Sequence, residues 1–312
     1  MNDTPDLIDL VVADRREEAV GVVSLTLRHA DGRALPGWQP GAHVDLLLAE
    51  GLERQYSLCG PPAGPQWRIA VLREADGRGG SDFVHACLRP GDRVRARPPR
   101  NHFPLEPAPR HRFVAGGIGI TPILPMLAAA SAAASDWSLL YGGRSRSSMA
   151  FVEELARGHP AERVTLTTGP LDLDGYLAGL HPGELVYACG PASLLAAVEA
   201  RVPAAALRTE RFTAAAAGTA DDTAFEVELA GSGRVLSVPR DRSILQTLLQ
   251  AGVTVLYSCT EGTCGTCETD VLSGEPDHRD SVLTDGERAA GETMMICVSR
   301  CRTPGGRLTL DL

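Results

Sequence analysis

Cys259, Cys264 and Cys267 stand within the stretch CTEGTCGTC, and Cys297 follows after 29 intervening residues. This spacing constrains the chain more than any other feature. A tight loop can wrap three sulfurs round one centre, and a distant strand can bring a fourth. Gly262 and Gly265 let the loop turn sharply and let backbone N–H groups point at sulfur. Of the eight cysteines, Cys59, Cys87 and Cys189 are isolated and read as small core fillers. The other five fall in the last 54 residues.

C-x4-C-x2-C…C is the pattern of a plant-type [2Fe–2S] site, in which each iron takes two thiolates. Zinc is the alternative, but zinc loops more often show two separated C-x2-C pairs. Cys301, four residues past Cys297, could compete as a ligand; the pattern favours Cys297 and leaves Cys301 to packing. Around the loop, AFEVELAGSGRVLSVP reads as strand, turn and strand. RSILQTLLQAG carries Ile244, Leu245, Leu248 and Leu249 at helical spacing, with Gly252 just past the end. ETDVLSG, MMICVSR and RLTLDL read as further strands. A mixed sheet gripping one helix over roughly 224–312 resembles the plant-type ferredoxin (β-grasp, α+β) fold.

A cluster carries one electron at a time, so the chain needs a donor upstream. Its 312 residues allow two or three domains. A net charge of −9 with no basic run argues against nucleic acid. No apolar run reaches the roughly 18–20 residues of a membrane helix. The start, MNDTPDLIDL, lacks a charged-then-apolar leader, so a cytoplasmic protein with reduced thiols is expected.

The segment HRFVAGGIGITPILPMLAAAS runs from an apolar strand through Gly116, Gly117, Gly119 and Thr121 into a helix. Pro122 suits the first helical turn. Strand, glycine turn and helix N-terminus together form an anion cradle. The turn does not match G-x-G-x-x-G, so it is not the standard dinucleotide fingerprint. DWSLLYGGRSRSSMAF, ERVTLTTG and ELVYACGP supply further strands, and Cys189-Gly190-Pro191 opens another helix. Alternating strands and helices imply a parallel sheet covered on both faces. Ligands of such sheets bind beyond the carboxyl ends of the strands, where both turns sit. The competing reading is that these are merely tight connections.

The first hundred residues differ. VSLTLRH, HVDLLLAE, RQYSLCG, WRIAVLRE and DRVRARPP alternate like strands of a small antiparallel barrel. Arg54, Gln55, Tyr56 and Ser57, with the turn Gly77-Arg78-Gly79-Gly80-Ser81, offer a cation, an aromatic ring, a hydroxyl and an anion-friendly turn. That set suits a flavin, and Val71 of WRIAVLRE joins the candidate contacts; the alternative is ordinary strand residues.

The RxYS barrel, then GGIGITP and CGP, then a C-terminal C-x4-C-x2-C…C together resemble the phthalate dioxygenase reductase family, which includes vanillate demethylase reductase subunits. The resemblance spans essentially the whole chain in the same order. It implies FMN rather than FAD in the barrel (1–104), a nicotinamide nucleotide in the middle domain (105–212) and the cluster in 224–312, with 213–223 as linker. It implies Arg54, Gly79, Gly80 and Ser81 at the flavin phosphate, Tyr56 beside the ring and Ser57 near its reactive edge. Gly116, Gly117, Gly119 and Thr121 would cradle the nucleotide, and Cys189, Gly190 and Pro191 would line the nicotinamide approach. Glu210-Arg211-Phe212 matches the family's Glu-Ser-Phe ending except at Arg211, and Phe212 would guard the nicotinamide position. The catalytic candidates are therefore Ser57, Cys189, Glu210 and Phe212.

Arg144 and Arg146 in GGRSRSS, with no carboxylate beside them, taken alone favour NADPH; the resemblance favours NADH. It further implies a Rieske-type terminal oxygenase as partner, which this chain, lacking a Rieske motif, would only supply with electrons. His85 and His102 read as structural or exposed. Two alternatives are a reductase for another acceptor, such as a P450 or a quinone, and a non-enzymatic iron–sulfur carrier.

Overall fold

The protein is described here by a computed structural model over residues 7–49, 52–74, 77–212 and 222–312. Most of the expected linker, 213–221, lies outside the described residues. The chain divides into two compact units, Met1–Arg211 and Phe212–Leu312.

The first unit begins with β1 (Ile8–Ala19), β2 (Val22–His29), β3 (His43–Ala49), β4 (Leu52–Ser57), β5 (Trp67–Leu72), α1 (Gly80–Cys87) and β6 (Arg93–Ala96). The strands form an antiparallel sheet in the order β4-β3-β6-β1-β2-β5. A bridge between Leu58 and Ile69 joins the two edges and closes the barrel. Alternate side chains point inward, so Val23, Leu25 and Leu27 of β2 meet Val44, Leu46, Ile69 and Val71 in one core. Strand β1 was not anticipated. Its second half, DRREEA, is half-buried or exposed, and two register shifts break its alternation.

The second sheet contains β7 (Arg110–Gly116), β8 (Asp136–Gly143), β9 (Val164–Thr168), β10 (Leu185–Cys189) and β11 (Leu207–Glu210). All its pairs are parallel, in the order β11-β10-β7-β8-β9. Side chains alternate between two cores. Phe113, Leu139, Tyr141 and Tyr187 pack with α2 (Ile120–Ala132) and α3 (Val152–Gly158). Val114, Leu140, Val186 and Ala188 pack with α4 (Leu173–Leu177) and α5 (Ala192–Glu199). The expected parallel sheet covered on both faces is what forms.

In the second unit, β12 (Phe225–Leu229), β13 (Arg234–Val238), β14 (Glu268–Ser273), β16 (Thr293–Met295) and β18 (Arg307–Leu310) make a mixed sheet in the order β13-β12-β18-β14-β16. β12 and β18 run parallel. β15 (Pro276–Asp277) and β17 (Arg300–Cys301) form a separate two-stranded ladder, and α7 (Asp285–Ala290) lies between β15 and β16 in sequence. Helix α6 (Ile244–Gln250) starts in a capping box between Ser243 and Gln246 and ends before Gly252, which has φ of 75°. It buries Ile244, Leu245 and Leu248 against the sheet. MMICVSR is not one strand. The chain leaves the sheet after Met295 and turns, with Val298 and Ser299 N–H groups both donating to the Met295 carbonyl. That turn presents Cys297.

Arg68 of β5 clamps the barrel to the α/β layer. Its guanidinium makes two 2.8 Å bonds to Glu154 of α3, donates to the Cys59 carbonyl at 2.7 Å and lies over the Phe151 ring. Arg68→Ala is expected to cost about 1–3 kcal/mol, since it leaves a buried carbonyl unpaired and removes a partly exposed ion pair. A thermal-unfolding midpoint unchanged from wild type would show that the clamp carries no stability.

Candidate functional site

The four expected thiols come together in the second unit. Cys259, Cys264, Cys267 and Cys297 are all buried. The sulfur of Cys259 contacts those of Cys264 and Cys297, and Cys267 contacts Cys297. The set is thus linked as two pairs, 259 with 264 and 267 with 297, joined through one contact. Among the described residues no group of His, Cys, Asp and Glu stands out as a single-ion site. The paired arrangement suits two irons with two thiolates each. Hydrogen bonds, from Cys264 to Cys259 and from Cys297 to Cys267, hold the thiols of Cys259 and Cys267 below the ordinary cysteine range.

Backbone N–H groups aim at the sulfurs, as the glycines predict. Glu261 donates to Cys259 Sγ and Thr266 to Cys264 Sγ, each at 3.3 Å. Gly262 and Gly265 have φ of 67° and 72°, and Thr260 takes φ of 59° without being glycine. A Cβ on Gly262 would lie 2.5 Å from Val298 Cγ2 and 3.0 Å from Asp280 Cα. Sequence reasoning missed this support. The Asp280 carboxylate accepts from the N–H groups of Val282 and Leu283, and Ser281 N–H donates to the Gly262 carbonyl. No residue spacing signals these contacts. Cys301 sits in β17, outside the thiol contacts; burial pushes its thiol up.

In the first unit the carboxyl ends of β7, β10 and β11 lie level, because Cys189 pairs with Ala115 on one side and Glu210 on the other. The two glycine turns touch backbone to backbone. A Cβ on Gly119 would lie 2.3 Å from the Cys189 carbonyl oxygen, and one on Gly190 would lie 3.0 Å from Gly116 Cα. Gly117 has φ of 54° and open space where a Cβ would be. Gly116 would clash with Pro191 and Leu194 if it carried a side chain. Thr121 is buried and donates to the Ile118 carbonyl at 2.9 Å, so its hydroxyl holds the turn. A compact backbone turn leading into a 13-residue helix can receive an anion. Arg144 and Arg146 stand exposed just past β8.

Ser57, Cys189 and Glu210 converge from the barrel and from two strands of the sheet. Ser57 hydrogen-bonds the Glu210 carboxyl, and Cys189 Sγ lies 3.9 Å from Glu210 Oε2. Glu210 as a residue is half-buried, but its carboxyl end lies among packed atoms. Desolvation pushes its pKa up to about 8, against the lowering effect of the Ser57 and Cys189 hydrogen bonds. Desolvation also pushes the Cys189 thiol well above its usual range, with the Glu210 charge adding to the effect. This group of three can hold a proton near neutral pH.

Within the barrel, Arg54 lies across the glycine turn. It donates to the Arg78 carbonyl at 2.5 Å, and a Cβ on Gly80 would lie 2.4 Å from Arg54 Cγ. Gly79, with φ of 82°, caps α1. Ser81 Oγ accepts from Glu74 N–H, which fixes the same turn. Cation, bare turn and helix start together fit a phosphate. Tyr56 is half-buried against the barrel core, and desolvation keeps its phenol protonated. Gln55 donates to Asp45 at 2.8 Å, and Val71 is buried in the core, with its carbonyl 2.9 Å from His85 Nε2. His102 stacks on His43. Arg211, the departure from the expected ending, pairs with Glu199 of α5. Phe212 is 39% exposed and opens the second unit.

Two predictions follow from this geometry. Cys297→Ser should abolish the visible iron–sulfur spectrum, while Cys301→Ser should retain it; the reverse result would make Cys301 the fourth ligand. For Glu210, the folded pKa of about 8 lies above the ordinary value of 4.5. The folded state then binds the proton more tightly, so its contribution is full below about pH 4.5 and is lost as pH rises towards 8. Wild type should therefore lose roughly 3–5 kcal/mol across that window relative to Glu210→Gln. Parallel stability–pH curves for the two flavin-free proteins would contradict the raised pKa.

Comparison with known proteins supplies the family. The family model described as "2Fe-2S iron-sulfur cluster binding domain" matches residues 227–302. A vanillate O-demethylase oxidoreductase of Pseudomonas sp. (strain HR199 / DSM 7063) is 42% identical over 98% of this chain and 100% of its own length. The structure of an intact type IV self-sufficient cytochrome P450 monooxygenase superposes with a TM-score of 0.90 and 42% identity over 98% of this chain. This chain spans 41% of that P450. Phthalate dioxygenase reductase, described as a modular structure for electron transfer from pyridine nucleotides to [2Fe-2S], gives a TM-score of 0.71 and 35% identity over 98% of each chain. The two relatives matched over their full length establish that the chain belongs to the phthalate dioxygenase reductase family of electron-transfer oxidoreductases.

Proposed function

We propose that the protein is the reductase component of a Rieske-type oxygenase or demethylase system. It takes electrons from NADH through FMN and the [2Fe–2S] cluster and delivers them to the oxygenase. The observation that carries this reading is the convergence of Ser57, Cys189 and Glu210 beside the two glycine turns, in a chain that also gathers four thiols. We assign 1–104 to the flavin, 105–212 to the nucleotide and 224–312 to the cluster, with 213–223 as linker.

Arg54 and the 79–81 turn would hold the flavin phosphate, Tyr56 would lie beside the ring and Ser57 near its reactive edge. Gln55 ties β4 to β3 through Asp45, and Val71 packs in the barrel core beneath the proposed flavin site. Gly116, Gly117, Gly119 and Thr121 hold the nucleotide, with Arg144 near its ribose. Cys189, Gly190 and Pro191 shape the space for the nicotinamide. When bound, the flavin takes two electrons at once and releases them singly to the cluster. Glu210, protonated at neutral pH, holds a proton on its carboxyl, and the Ser57 hydroxyl can pass it on. The four cysteines outside the cluster set, Cys59, Cys87, Cys189 and Cys301, are free thiols and Cys87 is exposed, which supports a reducing cytoplasm. No helix among the described residues is long and apolar enough to cross a membrane.

A second reading, that the acceptor is a P450, is favoured by the similarity to 41% of the self-sufficient P450 chain. The testing experiment is an absorbance spectrum of anaerobic protein before and after NADH, with the released flavin identified by chromatography. Flavin and iron–sulfur bands should bleach together and FMN should be released. An iron–sulfur spectrum without flavin, unmoved by NADH or NADPH, would leave only an electron carrier.

A further inference from the structure

The second unit contains a recess of about 400 Å³ whose wall includes Cys297, a cluster ligand, and Thr260 of the cluster loop. Its charge is the opposite of the chain's. Arg240, Arg242, Arg279 and Arg300 line it against Asp222 and Asp241, an excess of two positive charges, in a protein whose net charge is −9. The floor is rigid. Arg300 is buried, donates to the carbonyls of Thr223, Pro239 and Arg242, and lies over the Phe225 ring at 5.0 Å. Arg279 takes up Asp222 with bonds of 2.6 and 3.0 Å. Arg242, by contrast, donates to a neutral amide, Gln250. The rim is apolar: Leu249 and Tyr257 also line the recess and are 40% and 42% exposed.

We infer that this recess is the face through which the cluster delivers its electron, and that it receives an acidic segment of the acceptor protein. A carboxylate of that segment enters beside Arg242, while a neighbouring apolar side chain covers Leu249 and Tyr257. Charge complementarity selects the occupant, since a cationic recess on an acidic protein turns away basic partners and draws acidic ones. The wall at Cys297 makes the site useful, because an occupant there touches a ligand of the cluster. The chemistry is one electron leaving the reduced cluster for the acceptor's oxidised metal, with no bond made or broken. The inference rests on the cluster being the exit carrier, and its test separates that reading from the docking itself.

The full chain is reduced with NADH in one arm and with dithionite in another. Reoxidation of the cluster is then followed by stopped flow with two protein probes: plastocyanin, an acidic copper protein, and cytochrome c, a basic haem protein. With wild type, the plastocyanin rate should fall as salt rises. Arg242→Glu should slow that reaction about tenfold, the low end of electrostatic steering, and flatten its salt dependence. It should not slow cytochrome c. Arg240→Glu, at an exposed position, should act in the same direction. Reduction of the cluster by NADH should be unchanged in both variants. Plastocyanin rates that rise with salt in wild type, or that both variants leave unaltered, would overturn the inference. So would variants that slow cluster reduction by NADH but not its reoxidation, since the recess would then face the flavin donor. If NADH reduces nothing while the dithionite arm shows the expected charge dependence, the docking face stands and the proposed electron donor falls.

Discussion

Two backbone turns occupy the space that a single side chain would need. The Cys189 carbonyl lies where a Cβ on Gly119 would be, and Gly116 lies against Gly190 in the same way. Both turns leave neighbouring parallel strands at one level, because the register pairs Cys189 with Ala115. The same register sets Glu210 beside Cys189 from the other side. Backbone contact between β7 and β10 therefore fixes the rest of the edge: the opening of α2, the opening of α5 and the position of the acid. A methyl group at Gly119 would have to push two strands' ends apart, and every group at that edge would move with them.

Two buried carboxyls in the same unit show how environment divides their tasks. Asp45 is fully buried in the barrel, but Arg100, Arg97 and Gln55 surround it. Desolvation still pushes its pKa up, while the Arg100 charge is the largest opposing influence. It is a structural charge paired inside a closed sheet. For Glu210, the partners among the described residues that lower its pKa are a hydroxyl and a thiol. It lacks a cation to stabilise its charged form, so it pays the burial cost by keeping its proton to about pH 8. A carboxyl that is costly to ionise and lies where strands end fits proton handling better than structural support.

What the sequence made legible was local. The C-x4-C-x2-C spacing, the GGIGITP turn and the CGP turn each encode their geometry within a dozen residues, and their strands and helices followed. Longer-range features were not legible. β1 was missed because its polar second half breaks alternation with register shifts, and β11 because four half-buried residues carry no pattern. MMICVSR reads as a strand by composition, yet it must break to turn Cys297 towards the other thiols. Gln55 lies in a stretch that suggested a flavin contact, but its amide donates to Asp45, its partner on the neighbouring strand β3. Asp280 gave no signal, because its work is to hold a turn against a glycine 18 positions earlier.

The fourth thiol of the proposed ligand set is tied to the fold of its unit. Cys259, Cys264 and Cys267 lie on one loop and could approach one another in a short peptide. Cys297 cannot join them until β14 and β16 pair and the chain turns at Met295. Cys267 and Cys297 belong to the same apolar core as Ile244, Leu245 and Leu248 of α6. Binding two irons across these pairs therefore adds directly to the stability of the folded unit, since the unfolded chain offers no such site. The dependence also runs the other way. A core that holds α6 in place holds Cys267 and Cys297 at fixed separation, so packing of the helix limits how far the thiols can relax. The ligand geometry thus follows from the unit's hydrophobic core as much as from the cysteine loop.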